Sequence, residues 1–193
     1  AARQALLREV KPLERGFKAS EDQRRDVLER IRALVQLNPT AEPTAQLGGN
    51  WTLLYTDAPD ILGIPAGPFT RIGRIGQEID SVAGTIANVI EYRPSDFAAG
   101  LVGAARGDAL VQRVFTGYKA KSATQVDLEI QGLGITPVRF LGVEVPDVAA
   151  LKAKGPLSLP FGSFEILYLD SLLRIVRTAQ GWYSINVREP VMN

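Results

Sequence analysis

The chain contains neither cysteine nor histidine among its 193 residues. Without cysteine it forms no disulfide, and its composition carries no information on the redox compartment. The two absences exclude a Ser-His-Asp or Cys-His nucleophile and a zinc site built on His or Cys. We therefore predict no catalytic residue, no metal and no cofactor.

Long apolar runs and an excess of one charge are missing as well. No run of about eighteen apolar residues occurs, so we predict no membrane span. The 22 basic and 21 acidic residues leave a net charge of +1, which gives no general reason to expect nucleic acid as a partner. Residues 1–37 hold nine basic and six acidic side chains. This mild excess is typical of a solvated helical face and also suits contact with anionic lipid or an acidic partner.

Two amphipathic segments open the chain. Apolar spacing predicts a first helix over 3–14 and a second over 21–37, where Ser20 and Gln23 have the form of a capping box. Pro39 and Pro43 end the second helix. We expect this hairpin and its linker, residues 1–46, to pack on the outside of a barrel or across its open bottom; the alternative is an arm that binds a partner.

From residue 47 to 193 the sequence is typical of short strands separated by turns. The predicted strands are 51–56, 71–79, 85–93, 109–120, 124–131, 138–143, 163–169, 173–178 and 182–187. Asp127 and Glu129 alternate with apolar residues, which places both carboxylates toward water. The fold class predicted is mainly β: an antiparallel β-barrel of about eight strands, preceded by the helical hairpin.

Gly49-Asn50-Trp51 stands at the start of the first predicted strand. Simple alternation places Trp51, Leu53 and Tyr55 on one face. The Gly-x-Trp pattern resembles the lipocalin motif, in which the indole closes the floor of a cup, and this resemblance implies a lipocalin-like antiparallel β-barrel. The alternative is a core tryptophan that merely follows a flexible turn.

A late-strand arginine is the natural partner of such a tryptophan. The resemblance to lipocalins implies that Arg174 lies over Trp51 as a structural clamp. The alternatives are a solvated Arg174 or a pair with Asp170, which we expect to cap the turn before the next strand.

Candidate ligand contacts come from the strands and from an apolar loop. Asn88 lies on the face of Ile86 and Ile90, where its amide binds either a ligand head group or neighbouring backbone; Gln77 and Glu91 are weaker candidates. The loop over 58–69 is expected to be a lid, a docking patch or part of the core. The candidate ligand-binding residues are Trp51, Tyr55, Ile61, Leu62, Phe69, Asn88, Tyr92, Phe115 and Tyr168.

The ordered motifs of the chain resemble those of the plastid lipid-associated protein family, the plastid fibrillins. The segments that carry this resemblance are 15–20, 38–40, 43–45, 49–56 and 168–175. The resemblance implies a chloroplast protein, at thylakoids or plastoglobules, from which a transit peptide has been removed. It also implies non-enzymatic binding of a prenylquinone, carotenoid or other lipid. The alternative is an interaction module with a filled barrel that docks on a plastid membrane surface or a thylakoid protein complex.

Overall fold

A computed structural model describes residues 1–65, 67–102, 108–140, 143–144, 151–153 and 159–190, with side chains for 1–65, 67–100, 108–136 and 162–190. The helices are α1 (Ala2–Val10), α2 (Glu21–Val35), α3 (Pro59–Leu62) and α4 (Asp96–Val102), with 3₁₀ turns at Lys11–Leu13 and Pro43–Gln46. None of the described helices is long and apolar enough to cross a membrane.

The first two helices follow the predicted pattern with small shifts. The capping box is present, because the Ser20 hydroxyl accepts from the Gln23 N–H and the Gln23 side chain accepts from the Ser20 N–H. The first helix is shorter than predicted, since the chain tightens into a 3₁₀ turn after Val10. Glu14, Arg15 and Gly16 then take positive φ angles, which turn the chain toward α2.

Eight antiparallel strands form a closed barrel. The chain's strands are β1 (Gly49–Thr56), β2 (Thr70–Asp80), β3 (Thr85–Pro94), β4 (Ala109–Ala120), β5 (Gln125–Phe140), β6 (Val143–Glu144), β7 (Leu151–Ala153), β8 (Leu159–Leu169), β9 (Leu173–Thr178) and β10 (Tyr183–Arg188). The ring runs β4-β3-β2-β1-β10-β9-β8-β5, and pairing of β4 with β5 closes it. The fold class predicted from the sequence is confirmed.

Strand boundaries were predicted wrongly on β5 and on β8, which begins at Leu159 rather than at residue 163. The segments 124–131 and 138–143 were expected as separate strands, but β5 runs without interruption from Gln125 to Phe140. The whole of β4, from Ala120 to Ala109, pairs with β5 through two register shifts. Pairing with the neighbouring strand therefore outweighs the tendency of Gly132, Gly134 and Pro137 to interrupt a strand.

Two separate apolar clusters show which face of each strand is inside. The inner cluster combines one face of six strands, which only a barrel interior can do; it comprises Leu47, Trp51, Ile79, Ile86, Val126, Phe164, Ile166, Leu169 and Val176. The outer cluster joins α1 and α2 to the outside of β1, β8, β9 and β10; it comprises Leu6, Val10, Leu13, Val27, Ile31, Leu34, Tyr55, Tyr168, Leu173, Ile175 and Ile185. The helical hairpin thus covers the outside of the barrel.

Residues 1–46 therefore contribute a large share of one core. The division of the chain into a hairpin with its linker (1–46) and a barrel (47–193) remains a proposal. The linker is tied to the barrel, because the Asn38 side-chain oxygen accepts from the Leu169 N–H at 3.0 Å and the Thr40 hydroxyl donates to the Leu169 carbonyl.

A candidate ligand site inside the barrel

Trp51 closes one end of the barrel. Its side chain is fully buried, and the indole Nε1 donates to the carbonyl of Leu47 at 2.9 Å. Leu47 follows the second 3₁₀ turn and belongs to the same inner cluster. The chain before β1 therefore seals this end, which we call the closed end.

Two arginines, not one, lie over the Trp51 ring. The guanidinium carbon of Arg174 is 4.8 Å from the ring centroid, which is the contact predicted from the sequence, and that of Arg188 is 4.2 Å away. Arg188 also donates to the carbonyls of Gly48 and Gln46. Sequence reasoning missed Arg188; its place at the end of the last strand, opposite Trp51 in the β1–β10 register, was the available signal.

Arg174 occupies an unusual environment. It is 0% exposed, and it reaches from β9 across the interior to donate to the side-chain oxygen of Gln77 on β2. Burial, reinforced by repulsion from Arg188, lowers the pKa of Arg174 to about 9. The group is therefore a buried cation at neutral pH.

The inner wall of β2, β3 and β4 rises from the closed end in four layers. Cross-strand pairing and alternation define the layers as Ile79–Ile86–Thr116, Gln77–Asn88–Val114, Ile75–Ile90–Gln112 and Ile72–Tyr92–Leu110. The second layer is largely polar, with Gln77 donating to the Asn88 side-chain oxygen at 2.8 Å. The upper two layers are mostly apolar.

Exposure increases along this wall. Ile86 is 0% exposed in the lowest layer, while Leu110 in the uppermost layer is 40% exposed. On β5, Leu133 pairs with Val114 and is 41% exposed. Inward side chains of a closed barrel that remain accessible indicate an opening at the end opposite Trp51, which we call the open end.

Two of the candidate residues from the sequence belong to this wall. Asn88 faces the interior and is half-buried, bonded to Gln77 rather than to neighbouring backbone. Tyr92 lies in the uppermost layer, with its hydroxyl 3.5 Å from the Gln112 side-chain oxygen.

Tyr55 and Tyr168 are not on the inner face, and the prediction that Tyr55 shares the face of Trp51 is wrong. A register shift between Leu53 and Tyr55 adds a residue to β1, and another between Ile166 and Tyr168 does the same on β8. Each bulge reverses the alternation, so both tyrosines pack beneath the helices. Burial raises the pKa of Tyr55 to about 12, with a smaller contribution from Asp57, so its hydroxyl stays neutral.

Phe115 also lies on the outside of the barrel. It pairs with Ala87, whose neighbours Ile86 and Asn88 point inward, and it packs against Ala87, Val89 and Val111. The register between β3 and β4 decides which face Phe115 lies on, and the sequence of β4 alone does not predict that register.

Asp170 acts away from the tryptophan clamp. Its carboxylate caps the β8–β9 turn as predicted, accepting from the N–H groups of Leu172 and Leu173 at 2.8 and 2.7 Å. It also accepts from Tyr168 and pairs with Arg3 at 2.7 Å. Its described partners therefore tie α1 to the barrel, and the alternative in which Arg174 pairs with Asp170 is wrong.

The candidate loop residues after β1 differ in exposure. Ile61 and Leu62 lie in the short α3 and are half-buried. Phe69 is 57% exposed and stacks on Phe97, itself 62% exposed, with ring centroids 6.1 Å apart. These two rings form an exposed aromatic pair between β2 and α4.

The outer surface holds two shallow depressions of about 500 and 430 Å³. Charged residues such as Lys119, Asp127, Glu129 and Glu165 line them, so they suit an apolar ligand less than the inner wall does. Asp127 and Glu129 are exposed, as the alternation predicted. In the part of the chain that the structure describes, no group of three or more acidic side chains is placed to hold a metal ion.

Comparison with known proteins places the chain among plastid proteins. A family model described as PAP_fibrillin matches residues 1–186. Plastid lipid-associated protein 3 of Brassica campestris is 27% identical over 88% of this chain and 56% of its own length. Plastoglobulin-1 of Pisum sativum is 34% identical over 45% of this chain and 26% of its own.

A chromoplast-specific carotenoid-associated protein of Cucumis sativus is 30% identical over 47% of this chain and 30% of its own length. The chain thus spans about half the length, or less, of these three curated relatives.

Proposed function

Because the chain belongs to the PAP_fibrillin family, we propose that it binds a hydrophobic plastid metabolite inside its barrel and releases it chemically unchanged. A prenylquinone, a carotenoid or another lipid is the ligand class, and thylakoids or plastoglobules are the place of action. The names plastoglobulin and carotenoid-associated protein among its relatives support such a role.

The observation that carries this proposal is the accessible apolar inner wall. Ile90, Tyr92 and Leu110 face the interior and are not fully buried. Removing apolar ligand surface from water contributes about 25 cal/mol per Å². An isoprenoid tail along this wall would therefore be held with few polar contacts.

Co-elution of a prenylquinone with delipidated protein on gel filtration, quantified by mass spectrometry, tests the proposal. Val114→Trp fills the second layer of the wall, whereas Phe115→Trp adds to the outer face one residue along the same strand. We expect the first variant to reduce bound quinone several-fold and the second to leave it unchanged. Wild-type protein without bound quinone would exclude a prenylquinone as the ligand, and equal binding by Val114→Trp would exclude the inner wall as the binding site.

The same samples test the absence of catalysis. Every recovered compound should have its original mass. Sustained turnover that disappears when one carboxylate of the protein is mutated would show an enzyme instead.

The exposed aromatic pair favours docking on a plastid membrane as a second function. Phe69 and Phe97 together present two large apolar side chains to solvent. Phe69→Ser with Phe97→Ser should reduce co-sedimentation with galactolipid vesicles, whereas Leu172→Ser, at another exposed apolar position, should not. Unchanged sedimentation of the double variant would exclude the pair as the contact.

A further inference from the structure

Arg174 has more hydrogen-bonding capacity than its surroundings use. Its Nη2 donates to Gln77, but its Nε and Nη1 are buried and have no hydrogen-bond partner. Among the residues with described side chains, no carboxylate forms an ion pair with it. A buried guanidinium without a counter-ion is unfavourable, so this charge calls for an explanation.

The clamp on Trp51 does not explain it. Arg188 lies closer to the ring and bonds the carbonyls of Gly48 and Gln46. A second cation over the same indole adds repulsion between the two arginines. An apolar side chain at position 174 would fill the same space without that penalty.

Gln77 holds the position that an acidic ligand would take. Its side-chain oxygen is a neutral acceptor for the Arg174 cation, and its amide nitrogen donates to Asn88. Gln77 and Asn88 are only half-buried, and they form the layer directly below the apolar wall. A ligand entering from the open end therefore reaches Gln77 first, with Arg174 immediately behind it.

We propose that Arg174 binds the carboxylate of a long-chain fatty acid, whose tail extends along the apolar wall toward the open end. This inference rests on the proposed binding of a hydrophobic ligand inside the barrel. The carboxylate displaces the Gln77 oxygen from Arg174. The guanidinium then donates two hydrogen bonds to the two carboxylate oxygens, one from Nη2 and one from Nε or Nη1. Tail burial supplies affinity, and the ion pair selects acids over neutral lipids.

The fluorescent polyene parinaric acid and its methyl ester, titrated into delipidated protein at pH 8, separate these contributions. Wild-type protein should bind the acid at least tenfold more tightly than the ester. Arg174→Met should remove this preference by weakening the acid alone. Arg113→Met, which removes a cation from the outer face, should keep it.

Gln77→Glu tests the same ion pair in a protein that keeps Arg174. It places a carboxylate of the protein against Arg174 with little change of volume, so the site is already neutralised. We expect this variant to fold, to bind the ester as wild type does, and to bind the acid at least tenfold more weakly.

The outcomes distinguish the two proposals. Equal affinity of wild type for acid and ester overturns the role of Arg174 and leaves the carrier function standing. A preference for the acid that survives in both Arg174→Met and Gln77→Glu overturns it as well. If neither compound binds, the role of Arg174 is overturned, and the carrier function fails as well if the prenylquinone does not co-elute.

Discussion

Gly16 packs against the carbonyl oxygen of Thr56 so closely that a β-carbon at position 16 would lie 2.1 Å from that oxygen. The contact sits beside the parallel bridge between Arg15 and Tyr55, where the Thr56 N–H also donates to the Arg15 carbonyl. The turn between the two helices is thereby attached to the end of β1. This attachment holds the hairpin against the barrel.

Gly16→Ala should destabilise the protein by at least about 2 kcal/mol, because φ is +99° and the methyl group has no space. Gly100→Ala is the matched control. Position 100 lies in α4 with nothing within 4 Å of an added β-carbon, and alanine there should be neutral or slightly stabilising. Urea unfolding compares the two; similar stabilities would show that the turn is not held at Thr56.

Trp51→Ala should cost about 3 to 5 kcal/mol of unfolding free energy, since it empties the largest site in the inner cluster. Trp182, which is 39% exposed, is the control, and its replacement by alanine should cost less than about 1 kcal/mol. A loss below about 1 kcal/mol for Trp51→Ala in a denaturant melt would contradict its role in closing the barrel.

Ser20→Ala should destabilise α2 and the protein by about 1 kcal/mol through loss of the capping box. Ser20→Asp keeps an acceptor for the Gln23 N–H and should stay near wild type. Chemical unfolding measures both variants, and an equal loss of stability in Ser20→Ala and Ser20→Asp would contradict a role for the cap.

Acid should remove the stabilisation that Asp170 provides. Burial alone would raise the pKa of this carboxyl, but hydrogen bonds from Leu172 N–H, Tyr168 and Arg3 outweigh it and hold the pKa below the ordinary 3.8. The contribution is therefore complete above about pH 4 and is lost as pH falls through the folded-state pKa.

The difference in unfolding free energy between wild type and Asp170→Asn should accordingly be largest near neutral pH and shrink as the pH falls below about 4. Asp127→Asn, which removes an exposed carboxylate on β5, is the control. A constant difference across this range would show that Asp170 does not stabilise the fold through its charge.

Local sequence was sufficient for several elements. The capping box at Ser20, the bounds of β4 and β9, and the outward carboxylates of β5 follow from propensity and alternation alone. The contact of Arg174 with Trp51 came from the resemblance to lipocalins, and the structure contains it.

The remaining features depend on pairing between distant strands. Single-residue bulges place Tyr55 and Tyr168 on the outer face, and the flanking residues do not predict these bulges. The polar layer requires the side chains of Gln77 and Arg174, nearly a hundred positions apart, to meet across the interior. Neither the pairing of β1 with β10, which joins the two ends of the strand region, nor this meeting is encoded in a local pattern.

The pairing of β1 with β10 has a consequence for how the chain folds. Trp51 and Arg188 are direct partners in that ladder, so the barrel cannot close until nearly the whole chain is available. Such high contact order slows folding, because the chain loses the entropy of a long loop before the strand pairing contributes any stabilising free energy. Until then β1 presents an unpaired edge to other chains, which exposes a folding intermediate to aggregation. A chain truncated before Tyr183 would remain in that open form.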